Sequence, residues 1–459
     1  MTSTVPRLMI AATGSHSGKT VVTLALTSAL KRMHTDVATF KAGPDYVDPM
    51  FHAEVFGRRG QNLDLYLAGA QIMTAIYGQA AQGHDIAITE GVMGFYDGLG
   101  GVSAKCSTWD IARKLQMPVL LVLDCRRKSV SAAAAALGFA TYKENAVAGF
   151  ILDGAAAEVY PRLKKKIEKA AGLPVVGHLP RMDDASFESR HLGLMAPTEI
   201  ESIQRSIASM GQAFFLCSDM SKIIEIASQA PPLSYTVPQV SRLPRPVRIA
   251  FAQDAAFSYF YPATLEILDE MNCEIVPFSP LKDKGLPSGA DGLLLGGGPV
   301  EMYARRLSAN ETMLESVRNA IRGGMPTIAE GGGFLYLHEM LADPEDNAYP
   351  MAGLFPGTAE RGPTLSRFGY VKMTATTEGM LHPTGTEVHA HSSHYWLSPH
   401  PGQDYIAQKP KRPERFRTGY VSPTMYAAFP HLYLAGEPDA AWRFAQACLA
   451  YKERETVKK

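Results

Sequence analysis

The chain lacks the charge excess and the long apolar runs that would direct it to a nucleic acid or into a membrane. Its 45 Lys and Arg residues equal its 45 Asp and Glu residues, so its formal charge is zero. A global basic field that would attract polyanions is therefore missing. No apolar stretch reaches the roughly 18 residues that a membrane span needs. We expect a cytoplasmic protein that binds neither nucleic acid nor membrane.

Cysteine is scarce and scattered. The chain has five cysteines and no CxxC pair. This spacing suits reduced thiols in a cytosolic protein better than disulfides or zinc sites. With 46% hydrophobic residues in a total of 459, the composition is that of an ordinary globular protein, long enough for two or three domains. Composition alone therefore does not indicate the function, and the inference depends on local motifs.

Short apolar runs that alternate with helical patterns are what the chain does have. The first half contains runs at 8–12, 37–40, 86–89, 119–123 and 148–152, and the second contains runs at 247–251, 274–277, 292–295 and 327–329. This alternation is typical of doubly wound, mostly parallel sheets. Because proline fixes the backbone and removes ladder donors, the proline-rich segment 231–246 is predicted to be a linker. We therefore predict an α/β protein with domains at 1–230 and 247–459.

A glycine-rich loop follows the first apolar run and opens a helical pattern. Such a loop wraps backbone N–H groups around phosphate oxygens, with its lysine on the β and γ phosphates and its hydroxyl on Mg²⁺. It is one residue shorter than the strict P-loop signature, but its Gly-Lys-Thr core is intact. We predict ATP and Mg²⁺ as cofactors, bound by Gly14, Ser15, His16, Ser17, Gly18, Lys19 and Thr20.

Four carboxylates follow the next predicted strands. Asp45 and Asp48 come after the run 37–40, and Glu90 and Asp97 come after the run 86–89. Ligands of doubly wound sheets bind at the carboxyl ends of the strands, so these acids are expected to converge beside the glycine-rich loop. Carboxylates next to a triphosphate hold Mg²⁺ or steer a nucleophile. For any one of them, turn formation is the structural alternative.

A second strand-to-helix turn is predicted at 325–334. A sharp turn at the end of a buried strand is the arrangement that presents a nucleophile in α/β sheets. The residue at the turn is Gly331, which has no side chain to attack a substrate. The turn that would present a nucleophile is therefore predicted without a reactive atom.

Motifs over nearly the whole chain resemble the cobyrinic acid a,c-diamide synthase family. They lie at 43–49, 62–64, 90–94, 190–194, 261–262, 276–281, 295–298 and 307–310. In this family, ATP phosphorylates a tetrapyrrole side-chain carboxylate, and ammonia released from glutamine displaces phosphate from the acyl phosphate. The resemblance implies a P-loop amide synthetase domain followed by a class I glutamine amidotransferase-like domain.

The resemblance also implies roles for individual residues. Lys19 and Thr20 would bind phosphates and Mg²⁺, and Glu90, with Asp45, would complete the metal site. Asp45, Asp48 and Asp97 would position the substrate or the acyl phosphate. Weaker candidates for the substrate face, each with a structural role as its alternative, are Tyr46, Asn62, Asp64, Arg190 and His191.

The chain departs from the family at the glutaminase nucleophile. Gly331 stands where the family has cysteine, whereas His394 matches the family's histidine. The expected function is ATP-dependent amide formation on a tetrapyrrole or similar polycarboxylate, with free ammonia or another amine as donor. Two alternatives stay open: a ligase for a non-tetrapyrrole acid, and a non-catalytic, nucleotide-dependent binding or scaffold protein. By analogy with the family, a homodimer is possible.

Overall fold

The structure, a computed structural model, describes residues 1–57, 59–126, 128–182 and 203–458. The chain forms two compact units. The first comprises Met1–Leu65 and Gly69–Pro238, and the second comprises Tyr66–Ala68 and Gln239–Lys459. The division falls inside the proline-rich segment 231–246, which also contains a two-residue strand. The domain limits at 230 and 247 stay a prediction.

The first unit is built on a parallel sheet. The strands of this unit are β1 (Thr2–Ser3), β2 (Arg7–Ala12), β3 (Val37–Ala42), β4 (Gln61–Leu63), β5 (Ile86–Glu90), β6 (Val119–Asp124), β7 (Val147–Asp153), β8 (Val175–Leu179) and β9 (Leu233–Ser234). β1 and β9 form a separate, short antiparallel pair. The seven-stranded sheet has the order β4-β3-β5-β2-β6-β7-β8, and each neighbouring pair is parallel. Strands buried on both faces read as continuous apolar runs, which is why the sequence predicted them.

Helices cover this sheet. They are α1 (Lys19–Arg32), α2 (Val47–Phe56), α3 (Gly69–Ala81), α4 (Thr108–Lys114), α5 (Ser131–Thr141), α6 (Tyr160–Ala171), α7 (Ile203–Cys217) and α8 (Met220–Ser228). The core contains Leu24 and Leu30 of α1 with Met210 and Phe214 of α7, all fully buried. This packing holds the N-terminus of α1 at the carboxyl edge of the sheet, directly after β2.

The second unit has two sheets. Its strands are β10 (Val247–Ala252), β11 (Cys273–Phe278), β12 (Gly292–Leu295), β13 (Thr327–Glu330), β14 (His338–Ala342), β15 (Ala348–Pro350), β16 (Phe355–Ala375), β17 (Glu387–Leu397), β18 (Tyr405–Gln408), β19 (Arg415–Thr418), β20 (Tyr420–Ser422), β21 (Met425–Ala428) and β22 (His431–Leu432). The first sheet has the order β11-β10-β12-β13-β21-β20 and is parallel except for its last pair. The second, with the order β15-β14-β16-β17-β22 and with β18 and β19 attached to β16, is mostly antiparallel.

The helices of the second unit are α9 (Pro262–Glu270), α10 (Ala304–Ser308), α11 (Glu311–Arg322), α12 (Gly332–Tyr336) and α13 (Pro438–Lys458). The short α12 follows β13 directly and is buried along its whole length. In the described part of the chain, no helix has the length and apolar character required to cross a bilayer. The α/β fold class predicted from the sequence is confirmed.

Candidate active site

The loop between β2 and α1 requires glycine immediately before Lys19. Gly18 has a φ of 85°, in the left-handed region that favours glycine. A Cβ at this position would lie 2.3 Å from Oδ2 of Asp153. Backbone conformation and close packing therefore both exclude a side chain. This leaves the start of α1, with its backbone N–H groups, accessible to a phosphate.

Lys19 lies inside the same loop. Its Nζ donates to the carbonyl oxygens of Gly14 at 2.9 Å and Met93 at 2.5 Å. Burial, together with the nearby charge of Lys41, lowers the pKa of Lys19 to about 8. The lysine predicted to bind phosphates is thus held by two carbonyls at the carboxyl edge of the sheet. A phosphate is a stronger partner for an ammonium than either carbonyl.

Thr20 and Glu90 meet directly. The Thr20 hydroxyl donates to Oε1 of Glu90 at 2.6 Å. Because its hydrogen points at the carboxylate, the lone pairs of Oγ1 face elsewhere and can bind a cation. Glu90 ends β5, the neighbour of β2 in the sheet, and is fully buried. Glu90 therefore orients the hydroxyl that is predicted to bind Mg²⁺.

Lys41, which sequence reasoning did not assign, joins two of the predicted acids. It is the last residue but one of β3. Its Nζ contacts Oε1 of Glu90 at 2.9 Å and forms an ion pair with Asp48. Burial opposes the charged ammonium, but the carboxylates of Asp48 and Glu90 outweigh this effect and raise the pKa of Lys41. Its position just before the Gly43-Pro44-Asp45 turn was the signal that could have found it.

Glu90 is ionised despite its burial. Burial raises the pKa of a carboxyl group, but the Lys41 charge and hydrogen bonds from His52 and Thr20 together hold the pKa of Glu90 below its usual range. A charged carboxylate can be buried only when its oxygens are paired in this way. The cluster of Lys41, Asp48 and Glu90 is therefore a compensated charge network rather than a set of independent turn residues.

Asp45 and Asp97 both make the turn contacts that were the structural alternative. Oδ1 of Asp45 accepts from the backbone N–H of Val47 at 2.8 Å, at the start of α2. Oδ2 of Asp97 accepts from the N–H of Gly94 at 2.9 Å. Each of these bonds uses one carboxylate oxygen. Asp97 also lies within electrostatic range of Lys19, and Asp45 lies within range of Lys41.

The weaker candidates for the substrate face have varied positions. Asn62 and Asp64 are each 1% exposed, and Nδ2 of Asn62 donates to the carbonyl oxygens of Gly43 and Asp45. Asn62 thus supports the loop that carries Asp45. Tyr46 is partly exposed in that loop. Arg190 and His191 lie outside the described residues.

The metal ligands predicted from the sequence are only partly grouped. Thr20 and Glu90 are in contact, whereas an oxygen of Asp45 binds the N-terminus of α2. Among the described residues, no group of three or more His, Cys, Asp or Glu side chains has metal-binding geometry. Mg²⁺ commonly takes few protein ligands and uses substrate phosphates for the rest. A hydroxyl aimed by Glu90 beside the phosphate loop fits that pattern.

Gly331 lies at the turn between β13 and α12, with φ 52° and ψ −110°. A Cβ at this position would lie 2.5 Å from Nε2 of His431. The backbone thus has the sharp turn that was predicted, and an imidazole lies against the point from which a side chain would project. The same ring lies 2.5 Å from a Cβ added at Gly297. We call this turn, residues 330–333, the elbow.

The histidine at the elbow is His431 and not His394, which corrects the assignment made from the sequence. The ring of His394 stacks on Phe429 at 3.8 Å, and its Nδ1 donates to the carbonyl oxygen of Trp396 at 2.6 Å. Burial lowers the pKa of His394 to about 4. The sequence around His394 resembles the family motif, but the ring at the elbow comes from β22, which carries His431. No local motif predicts that β22 lies beside the elbow.

Comparison with known proteins shows the family to which the chain belongs. A model of the CobQ/CobB/MinD/ParA nucleotide binding domain matches residues 8–194, and a model of the CobB/CobQ-like glutamine amidotransferase domain matches residues 248–438. A cobyrinate a,c-diamide synthase of Caldanaerobacter subterraneus is 34% identical over 96% of this chain and 98% of its own length. The chain belongs to the cobyrinate a,c-diamide synthase family.

Other members of the cobyrinate a,c-diamide synthase family are equally similar. A cobyrinate a,c-diamide synthase of Dehalococcoides mccartyi is 36% identical and covers 96% of this chain and 97% of its own. A hydrogenobyrinate a,c-diamide synthase of Streptomyces coelicolor is 35% identical and covers 97% of this chain and 98% of its own. The resemblance drawn from the sequence motifs is therefore confirmed.

Proposed function

We propose that this protein is an ATP-dependent ligase that forms amides on the side-chain carboxylates of a tetrapyrrole and takes its nitrogen from ammonia or another amine. Its relatives are named as cobyrinate and hydrogenobyrinate a,c-diamide synthases. The observation that carries the proposal is the charge network at the carboxyl edge of the first sheet, where Lys19, Thr20, Lys41, Asp48 and Glu90 lie together.

The chemistry needs activation of the acid. A carboxylate is a poor electrophile, so transfer of the γ-phosphoryl group of ATP to it forms an acyl phosphate, from which an amine displaces phosphate. Lys19 stabilises charge that develops on the β and γ phosphates. Thr20, aimed by Glu90, would hold Mg²⁺, which would neutralise phosphate charge. These residues therefore serve the phosphoryl-transfer step.

The remaining acids serve the substrate side. Lys41 offsets the charges of Asp48 and Glu90, so that an anionic carboxylate meets less repulsion. Asp45 and Asp97 each use one oxygen in a turn. In our proposal their charges position the substrate or the acyl phosphate and the attacking amine. Asp45 follows β3 and Asp97 follows β5, and these two strands are adjacent in the sheet.

The nitrogen source follows from Gly331. Glutamine hydrolysis in this domain type needs a thiolate that forms a glutamyl thioester. Gly331 offers no nucleophile for His431 to activate. The two cysteines of the second unit are no substitute, because Cys273 lies in β11 and Cys448 in α13, whereas the elbow follows β13. We therefore propose that glutamine is not the donor.

An isotope experiment tests the proposal. The purified protein is given ATP, Mg²⁺ and cobyrinic or hydrogenobyrinic acid, with either ¹⁵N-ammonium or amide-¹⁵N-glutamine, and the product is analysed by mass spectrometry. We expect ¹⁵N in the product from ammonium and none from glutamine. The Lys19→Ala variant, shown to be folded by circular dichroism, should form no product, because water replaces the lost ammonium poorly at the phosphates.

Two outcomes would contradict the proposal. Transfer of ¹⁵N from glutamine at a rate comparable with that from ammonium would show a working glutaminase. ATP binding without any ATP hydrolysis that depends on an acid would favour the non-catalytic binding protein instead. ATP hydrolysis stimulated by another polycarboxylic acid, but by neither tetrapyrrole, would indicate a ligase with a different substrate.

A further inference from the structure

His52 contacts Glu90 from the side opposite Thr20 and Lys41. It lies in α2 and is fully buried, and its Nε2 is 2.9 Å from Oε2 of Glu90. Thr20 and Lys41 both contact the other oxygen, Oε1. The two oxygens of the carboxylate are thus held from opposite sides, which defines the plane of the group.

The partners of Glu90 determine which nitrogen of His52 carries the proton. A carboxylate that accepts hydrogen bonds from Thr20 and Lys41 on one oxygen is ionised and can only accept on the other. Nε2 of His52 therefore donates, and a neutral ring has a bare Nδ1. In the described part of the chain, Nδ1 is buried without a hydrogen-bond partner. The ring thus makes one directed polar contact, and that contact is to Glu90.

An unpaired buried nitrogen has a desolvation cost that an apolar side chain of similar size would avoid. The presence of an imidazole in a fully buried position therefore points to a need for its one donor. Without that donor, Glu90 would be held at Oε1 alone and could rotate about its terminal bond. The Thr20 hydroxyl would then lose the fixed acceptor that directs its lone pairs.

We propose that His52 is a positioning residue for the phosphoryl-transfer step: its Nε2–H fixes the carboxylate of Glu90, and Glu90 in turn orients Thr20 towards the cation that accompanies ATP. The side chain does not itself touch the substrate. Because α2 begins just after Asp45 and carries Asp48 in its first turn, the same contact ties these two acids to the phosphate loop. The inference rests on the proposed use of ATP and Mg²⁺.

Two substitutions at His52 separate a positioning role from packing. The amide nitrogen of Gln in His52→Gln can donate from about the position of Nε2, whereas His52→Leu fills the space without a donor. ATP affinity is measured for each by titration calorimetry, once with Mg²⁺ and once with EDTA. Removing a group that orients a metal ligand typically costs about 10–100-fold in metal affinity or activity.

For His52→Leu we expect nearly unchanged ATP affinity in EDTA. The increase in ATP affinity on adding Mg²⁺ should be smaller than in wild type by about tenfold or more. The kcat should fall, with little change in KM for the acid. His52→Gln should recover most of both losses. Equal weakening with and without Mg²⁺, or a His52→Gln protein no better than His52→Leu, would show a packing role and overturn the inference.

The tautomer gives a readout that does not depend on turnover or on a stable variant. In the wild-type protein, ¹⁵N NMR of the imidazoles should show His52 protonated at Nε2, and Glu90→Gln should shift its resonances. A ring protonated at Nδ1 and bare at Nε2 would overturn the inference. If wild-type protein binds ATP but His52→Leu has normal Mg²⁺ dependence, this inference alone fails. If wild-type protein does not bind ATP, the proposed function fails with it.

Discussion

Lys41 lies between two carboxylates at the carboxyl edge of the first sheet. The side chains of Lys41 and Glu90 are 3% and 0% exposed, and that of Asp48 is 16% exposed. One buried cation therefore lies between two acids in a medium that solvates none of the three well, and burial, with the charges of Asp45 and Glu90, raises the pKa of Asp48. Removing one partner of a buried ionic group leaves an uncompensated charge, which costs more than the group contributes when it is intact.

Lys41→Met tests this charge balance. The methionine fills much of the same volume but leaves Asp48 and Glu90 uncompensated, and we expect the free energy of unfolding to fall by about 3–5 kcal/mol. Urea denaturation followed by circular dichroism measures the loss. Lys165→Met, on an exposed part of α6, is the control and should change stability by less than about 0.5 kcal/mol. Equal effects of the two substitutions would refute the charge balance.

Asp45→Asn and Asp97→Asn separate turn formation from catalysis. Asparagine keeps an oxygen that can accept from the backbone N–H of Val47 or Gly94, so both variants should fold normally. Because each loses its charge, we expect acid-dependent ATP turnover to fall by more than about tenfold. Steady-state kinetics, with thermal unfolding as the control for folding, measures the effect. Turnover within about threefold of wild type would make both acids structural.

The elbow keeps its shape without a nucleophile because several neighbouring groups determine it. The N–H of Gly331 donates to the carbonyl oxygen of Ala428 at 2.9 Å. A Cβ at Gly333 would lie 2.0 Å from the carbonyl oxygen of Leu295. Close backbone approach between β12, β13 and α12 thus requires glycine and maintains the turn. The strand-turn-helix element therefore keeps its shape without a reactive side chain at position 331.

Gly331→Ala should destabilise this element. Its φ of 52° and ψ of −110° are unfavourable for alanine, and the new methyl group would push against His431, so we expect a loss of about 1–3 kcal/mol. Gly385→Ala is the control, because Gly385 also has a positive φ, 87°, but has nothing within 4 Å of an added Cβ. Denaturation midpoints measure both. A smaller loss for Gly331→Ala than for Gly385→Ala would contradict the contact with His431.

At the scale of the whole molecule, one buried acid makes stability depend on pH. Asp153 ends β7, packs against Gly18 and lies 3.7 Å from Nε of Arg126. Burial raises the pKa of Asp153 to about 6, although Arg126 acts in the opposite direction. The folded protein therefore binds this proton more tightly than the unfolded chain does, whose aspartates titrate near 3.8. Below that pH both states are protonated, and the acid has no net effect.

As pH rises from about 4 to about 6, the folded state loses stability at Asp153, by up to about 3 kcal/mol, and above this window the loss is complete. Asp153→Asn removes the ionisable group. Its stability relative to wild type should therefore grow across the window and then level off. Thermal unfolding between pH 4.5 and pH 8 measures this difference. A difference that stays constant with pH would refute the raised pKa.

The strands that sequence patterns predicted well share one physical property, burial on both faces. A strand such as β2 or β10 reads as an uninterrupted apolar run, because parallel strands are covered by helices on both sides. The long antiparallel strands β16 and β17 gave no such signal. They carry many exposed and polar residues, including charged ones, so the second sheet of the second unit was not predicted.

The sequence by itself determined the parts of the site whose chemistry is local: the glycine loop with Lys19 and Thr20, and the glycine in place of a nucleophile. Backbone loops and single missing atoms can be read from neighbouring residues. Only the tertiary structure decided which groups surround Glu90, since Lys41 and His52 are 49 and 38 residues away in the chain, and it replaced His394 with His431 at the elbow. Such contacts follow from the order of strands in a sheet, which brings distant residues together and which no local pattern records.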